Sequence, residues 1–136
     1  MSMSQSQREQ FLAELHVGVL AVAAGDGAGP LTIPIWYSYE PGGVVSLTTT
    51  PATRKVRAIE AAGRFSLCAQ DEQPPYQYVT VEGPAVIESA TRAERLAIAQ
   101  RYLGPEQGEA FVGEQDAVTD SVVIRMTPEH WLSRGL

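Results

Sequence analysis

Cysteine is nearly absent. Cys68 stands alone in 136 residues, which excludes an intrachain disulfide and a metal held by cysteines. Histidine is scarce too: His16 and His130 are the only two, with no metal-ligand spacing between them, and each reads as a surface or helix-end residue. No Gly-x-Ser-x-Gly, His-Glu-x-x-His or Walker sequence occurs, so the common nucleophile, zinc and nucleotide motifs are missing. Asp71 and Glu72 are adjacent in a loop, which is not the geometry of a catalytic carboxylate pair. The chain therefore lacks an evident acid, base or nucleophile, and an enzymatic reading assigns the chemistry to a cofactor.

Other absences bound the partners and the location. No window approaches the roughly 18 apolar residues of a membrane span. The opening Met1–Gln10 is polar, without the apolar centre of a signal peptide, so a cytoplasmic location and no membrane partner are expected. Positive charge is in short supply, with a formal net charge of -6. A broad basic face for nucleic acid is thereby excluded, and any local cluster of cations suits a small anion better. With 44% hydrophobic and 19% charged residues, the chain is one globular domain long enough to bury a core.

The elements that are present alternate between short strands and a few helices. Ser4–Leu15 is an amphipathic helix with Phe11, Leu12 and Leu15 on one side. Val17–Ala24 is an apolar strand, and Gly25–Gly29 a hairpin turn, since its glycines lack the nucleotide-loop spacing. Leu31–Tyr39 is a strand interrupted by Pro34, which cannot donate to a ladder and leaves neighbouring backbone groups free for another partner. Val44–Thr49 is the third strand. Pro51 suits a first helical position with Thr50 as N-cap, and that helix runs to about Ala62 and stops at Gly63. Arg64–Gln70 is a strand, as is Tyr76–Glu88 with a bulge at Gly83-Pro84. Thr91 and Glu94 form a capping box for a helix to Leu103, where Gly104-Pro105 stops it; a short helix, Pro105–Val112, follows. Ser121–Met126 is the last strand and Pro128–Leu136 a tail bearing Trp131. The fold class this predicts is mainly β: a six-stranded antiparallel barrel with a few flanking helices.

One stretch is electrostatically odd. Thr48, Thr49, Thr50 and Thr53 supply four hydroxyls, Arg54, Lys55 and Arg57 three cations, and no acid lies between Glu40 and Glu60. A helix start carries unpaired N–H groups and the positive end of the macrodipole, which attract anions and repel cations. A bound phosphate reconciles these residues; a solvated helix face is the plain alternative. Trp36, Tyr37, Tyr39, Tyr76, Tyr78 and Trp131 are either core and contact residues or the walls of a site for a flat ring, and periodicity does not separate the two.

Several runs resemble a known superfamily. Leu31-Thr32-Ile33-Pro34-Ile35-Trp36, Val45-Ser46-Leu47-Thr48-Thr49-Thr50, Arg54-Lys55-Val56-Arg57, Gly63-Arg64-Phe65-Ser66-Leu67 and Tyr76-Gln77-Tyr78-Val79-Thr80-Val81-Glu82-Gly83-Pro84-Ala85 are, in that order, similar to the pyridoxamine 5'-phosphate oxidase-like superfamily. The resemblance spans about Phe11 to Ile87, and the Arg-Lys step and the Val-x-Val-x-Gly strand are its most specific parts. It implies a split β-barrel that forms a homodimer and binds a flavin or deazaflavin between subunits. The subgroup most resembled is that of the small flavin/deazaflavin oxidoreductases, which use FMN or coenzyme F420.

By that resemblance, Arg54 and Lys55 hold the cofactor phosphate with the hydroxyls of Thr48 and Thr50. Ile33, Pro34, Ile35 and Trp36 border the ring, Tyr78 touches its polar edge, and Trp131 closes the site from the other subunit; Arg57 is a further cation nearby. The chain departs from pyridoxamine phosphate oxidases proper. Thr32 and Tyr37 stand where those enzymes carry basic residues, and no Arg-x-His segment follows Trp131, so vitamin B6 oxidation is not expected. The missing cations favour F420 over FMN. The expected function is hydride transfer from the deazaflavin to a conjugated small molecule. An FMN oxidoreductase and a non-catalytic flavin, deazaflavin or haem binder are the alternatives.

Overall fold

The computed structural model describes residues 3–115 and 121–135. The strands are β1 (Gly18–Val22), β2 (Leu31–Ile35), β3 (Val45–Thr49), β4 (Arg64–Gln70), β5 (Tyr78–Ser89), β6 (Val122–Met126) and β7 (His130–Arg134). The helices are α1 (Gln5–Ala13), α2 (Arg54–Ala62), α3 (Arg92–Leu103) and α4 (Pro105–Gln115). Strand pairing is antiparallel, in the order β2-β1-β4-β5-β6-β3, with β7 also beside β5. The chain thus forms the mainly β, antiparallel split barrel with flanking helices that its sequence predicts.

Strand β5 is the spine because it belongs to two sheets. Its first half pairs with β4 and β7, and its second half, from Ala85 on, with β6. The changeover falls at Gly83-Pro84, expected as a bulge and found as a corner. A Cβ on Gly83 would sit on the carbonyl oxygen of Thr127, so only glycine lets the β6–β7 connection pass this close. The Thr127 and Ala85 amides donate to Pro84 O at 2.9 Å and Gly63 O at 3.0 Å.

Alternation builds the core. Phe65, Leu67 and Ala69 of β4 and Val79 and Val81 of β5 point inward and are buried, the period of two that a pleated strand imposes. Val56 and Ile59 of α2, and Phe11 and Leu12 of α1, close the ends. Leu15 departs from expectation. The helix ends at Ala13, and Leu15 is 60% exposed.

Three further boundaries differ from the sequence reading. The β2 ladder stops at Ile35 instead of continuing to Tyr39. Residues 130–134, expected within a tail, form β7 from Tyr78↔Arg134 to Glu82↔His130; Leu136 lies outside the described residues. Nothing local to those five residues signals a strand, because what orders them is the free edge of β5. The N-cap of α2 is Thr53, not Thr50: its hydroxyl accepts from the Val56 amide at 3.4 Å and donates to Thr50 O at 3.1 Å. Arg54 and Lys55 therefore occupy the first two helical positions.

The split is physical. Ser38 and Ser46 exchange two backbone hydrogen bonds, of 2.8 and 3.0 Å, and join the chain beyond β2 to β3. Above that bridge the two edges part. The Tyr37 amide donates to the hydroxyl of Tyr102 at 3.1 Å, and that hydroxyl donates to His16 O at 2.6 Å. A side chain from α3 thus takes the place of the ladder bonds that Tyr37 and His16 would exchange if the β1–β2 pairing continued.

Candidate functional site

The space between the parted edges of β2 and β3 is a cavity of about 540 Å³, a size typical of small-molecule sites. One wall is Pro34, Ile35 and Trp36, where β2 ends; the facing wall is Leu47, Thr48, Thr49 and Thr50. Lys55 enters from the start of α2, and α3 and α4 roof the cavity with Arg95, Ile98, Phe111 and Val112. Thr48 and Thr49 are set by their pairing with Val123 and Val122 of β6. No acidic side chain, histidine or cysteine is among the described lining residues.

The indole of Trp36 is fixed in plane. It stacks on Tyr102 with centroids 5.0 Å apart and an interplanar angle of 5°, and Phe111 tilts against it at 6.0 Å and 50°. Tyr102 is itself pinned by its hydroxyl bonds, and Arg101 caps the assembly: its guanidinium lies 5.2 Å from the Tyr37 ring centroid and donates to Ala13 O and Glu14 O. Tyr37 is fully buried and donates to Leu12 O at 2.7 Å; burial pushes its phenol well above the ordinary tyrosine range. It is a structural post and not a proton source.

Lys55 is half-buried, and loss of hydration lowers its ammonium pKa below the ordinary lysine value. Among the described residues no ion pair of Lys55 is found, and the row of threonines lines the same cavity. The amides of Arg54 and Lys55 precede the first backbone bond of the helix, from Arg57 N–H to Thr53 O. An ammonium and several hydroxyls lining one cavity, with the ammonium carried on the first turn of a helix, are the donor set of a phosphate site.

The structure divides the residues singled out by sequence. Pro34, Ile35, Trp36, Thr48, Thr50 and Lys55 meet in the cavity. Arg54 and Arg57 line a second cavity between α2 and the β1–β2 hairpin, with Ala23, Leu31 and Ala62. Arg57 there donates to Ala52 O at 3.2 Å. Ile33 packs against the core. Tyr78 lies in a third, polar cavity with Asp71, Tyr76 and Arg134, and the Trp131 ring meets Tyr39 edge-on at 6.3 Å; within one chain neither reaches the first cavity. Arg95 and Phe111 escaped the sequence reading. The helix of Arg95 was legible from its capping box and that of Phe111 from the Gly104-Pro105 stop before it, but nothing in either pattern says that they fold over the gap between β2 and β3.

The family model for pyridoxamine 5'-phosphate oxidase matches residues 4–135. The chain belongs to the pyridoxamine 5'-phosphate oxidase family. Members of this family are flavin-binding oxidoreductases as a class. The conserved hypothetical protein Rv2991 from Mycobacterium tuberculosis superposes with a TM-score of 0.81 at 23% identity, over 99% of this chain and 86% of its own. A protein named F420 reductase superposes with a TM-score of 0.73 at 26% identity, covering 91% of this chain and 94% of its own. A FAD-binding protein from Mesorhizobium loti shares the fold at 20% identity, with a TM-score of 0.60 over 96% and 91% of the two chains. A search of curated proteins found no match.

Proposed function

We propose that this family member is a homodimeric F420-dependent oxidoreductase that reduces a conjugated organic small molecule. The observation that carries this reading is the half-buried Lys55, without an ion pair among the described residues, beside Thr48, Thr49 and Thr50 in a cavity walled by Trp36. A cation kept partly dry among hydroxyls is poorly placed unless an anion joins it. The likeness to a protein named F420 reductase supports the choice of deazaflavin.

When bound, the deazaflavin supplies hydride; the protein supplies everything else. Lys55, the threonine hydroxyls and the first amides of α2 hold the phosphate. Pro34, Ile35 and Trp36 present a backbone edge and an indole to the ring. The roof of α3 and α4 excludes water, which strengthens each polar contact beneath it. Among the described lining residues there is no carboxylic acid, histidine or tyrosine, and the Lys55 ammonium is given to the phosphate. Protonation of the substrate therefore falls to solvent or to a tyrosine outside that lining. In the dimer, Tyr78 and Trp131 complete the site of the partner subunit, which accounts for their distance from the cavity of their own chain.

Parallel titrations with F420 and FMN, read by intrinsic tryptophan fluorescence, test the cofactor. Trp36 lines the cavity, so its emission responds to occupancy. Tighter binding of F420, with turnover of enones or quinones, is the expected result. Tighter binding of FMN moves the protein to the flavin branch, and binding without turnover makes it a carrier.

A further inference from the structure

A phosphate on Lys55 accounts for one of the three cations that open α2. Arg54 and Arg57 line the separate cavity between α2 and the β1–β2 hairpin, of about 390 Å³. Their placement is unfavourable in three ways. They stand at i and i+3, so like charges are neighbours on the helix surface. They lie at the positive end of the macrodipole, and the first turn of α2 holds no acid. Among the described residues neither guanidinium has an ion pair: Arg57 spends one N–H on Ala52 O at 3.2 Å, and Arg54 has no hydrogen bond. An anion held between the two relieves all three, and a guanidinium fork matches a carboxylate. The rest of the lining describes what that anion is attached to. Positions 54, 57, 58 and 61 share one helix face, so the arginines lead into Ala58, Ala61 and Ala62, with Ala23 and Leu31 of the hairpin opposite. Side chains this short leave an open apolar groove, and Ala58, Ala62 and Leu31 rest on the core beneath it. No hydroxyl or amide side chain is among the described lining residues, so sugar hydroxyls and ring heteroatoms find no side-chain partner. No aromatic side chain is among them either, in contrast to the Trp36 wall of the first cavity. The groove suits a hydrocarbon chain and not a flat ring.

We propose that this second cavity binds a free medium-chain fatty acid, with Arg54 and Arg57 receiving the carboxylate and the alanine-lined groove receiving the chain. The volume, at the lower end of the range for small-molecule sites, restricts the chain to medium length. The site is separate from the proposed cofactor site, because the two ligands use different cations of one helix. The net charge of -6 opposes the approach of any anion at long range, so preference for an acid over its alcohol reports the local pair of arginines.

Decanoate and decan-1-ol differ in the head group alone, and calorimetric titration of each into the full chain, below the concentration at which either aggregates, reads the preference directly. Decanoate is expected to bind once per chain and tighter than the alcohol by about tenfold or more, the worth of one charge-assisted hydrogen bond. From hexanoate through octanoate to decanoate, affinity is expected to rise about tenfold for each added pair of buried methylenes. Arg54→Gln combined with Arg57→Gln removes the preference for the acid and leaves the affinity for decan-1-ol in place. Ala61→Leu, at an exposed position of the lining, fills the groove and weakens acid and alcohol alike. Should the double variant fail to fold, Arg54→Gln alone and Ala61→Leu carry the test. Equal affinity for acid and alcohol, no binding of decanoate, indifference to chain length, or a preference that survives loss of both arginines overturns the proposal. Lys55→Gln separates it from the cofactor reading: it weakens FMN and F420 and spares decanoate. If FMN and F420 are unaffected by Lys55→Gln, the cofactor reading fails and the fatty-acid site stands. If Lys55→Gln abolishes decanoate binding, the acid sits in the first cavity and the assignment of Arg54 and Arg57 fails.

Discussion

Lys55 is the only lysine in the chain, and two of its neighbours in sequence could have been mistaken for equivalents. Arg54 and Arg57 share its run of cations, yet the helix turns them into another cavity. Burial lowers the Lys55 pKa, and the sign of the consequence follows. A lysine that titrates lower in the fold binds fewer protons there than in the unfolded chain. Its contribution to stability is therefore greatest above the unfolded pKa and is lost as pH falls through the folded one. Ligand binding runs the other way, because a phosphate needs the ammonium form. Affinity for FMN is expected to fall as pH rises through the lowered pKa, whereas riboflavin, which has no phosphate, is insensitive. Lys55→Ala should cost about tenfold to a hundredfold in FMN affinity and flatten that alkaline decline; Arg54→Ala should cost less. Calorimetry across pH checks all of this, and unchanged affinity in Lys55→Ala would refute the phosphate assignment.

At the scale of elements, the α3–α4 hairpin decides whether the cavity has a roof. Its own start was readable: Thr91 Oγ1 accepts from the Glu94 amide at 3.2 Å, and Glu94 accepts from the Thr91 amide at 3.0 Å. Its docking was not. Tyr102 does that work by receiving the Tyr37 amide and binding His16 O, contacts 65 and 86 residues away in sequence. Tyr102→Phe leaves the stacking surface for Trp36 but strands the Tyr37 amide and the His16 carbonyl. It is expected to cost about 1–3 kcal/mol, measured by urea unfolding, and to speed amide exchange at Tyr37 before the rest of the barrel. Exchange at Tyr37 equal to wild type would show that the His16 carbonyl, opposite Tyr37 in the β1–β2 register, takes over that bond.

At the scale of the whole molecule, the outer face of the larger sheet is the notable surface. The register places Pro34, Val19, Cys68, Thr80 and Leu132 in one row across β2, β1, β4, β5 and β7. Val19 is 40% and Leu132 60% exposed, so this row offers the apolar area that a second copy would cover in the proposed homodimer. Replacing both Val19 and Leu132 by lysine is expected to yield a folded monomer in sedimentation and to weaken cofactor binding, since Tyr78 and Trp131 then lack a partner site. A variant that remains dimeric places the interface elsewhere.

Much of the architecture was in the sequence itself. Alternation along Arg64–Gln70 and Tyr78–Val81, the stop at Gly63, the capping box at Thr91 and the proline in β2 fix which residues face inward and where ladders end, because each is a constraint of backbone geometry acting over a few positions. The run from Thr48 to Arg57 likewise raised the expectation of an anion by composition alone, beside the plain alternative of a solvated helix face. Which of its cations meets the cavity, that Arg95 and Phe111 come to roof it, and that residues 130–134 form a strand were decided only by the tertiary structure. Those outcomes depend on contacts between segments far apart in the chain, and a short-range pattern carries no record of the edge or gap that a distant segment will fill.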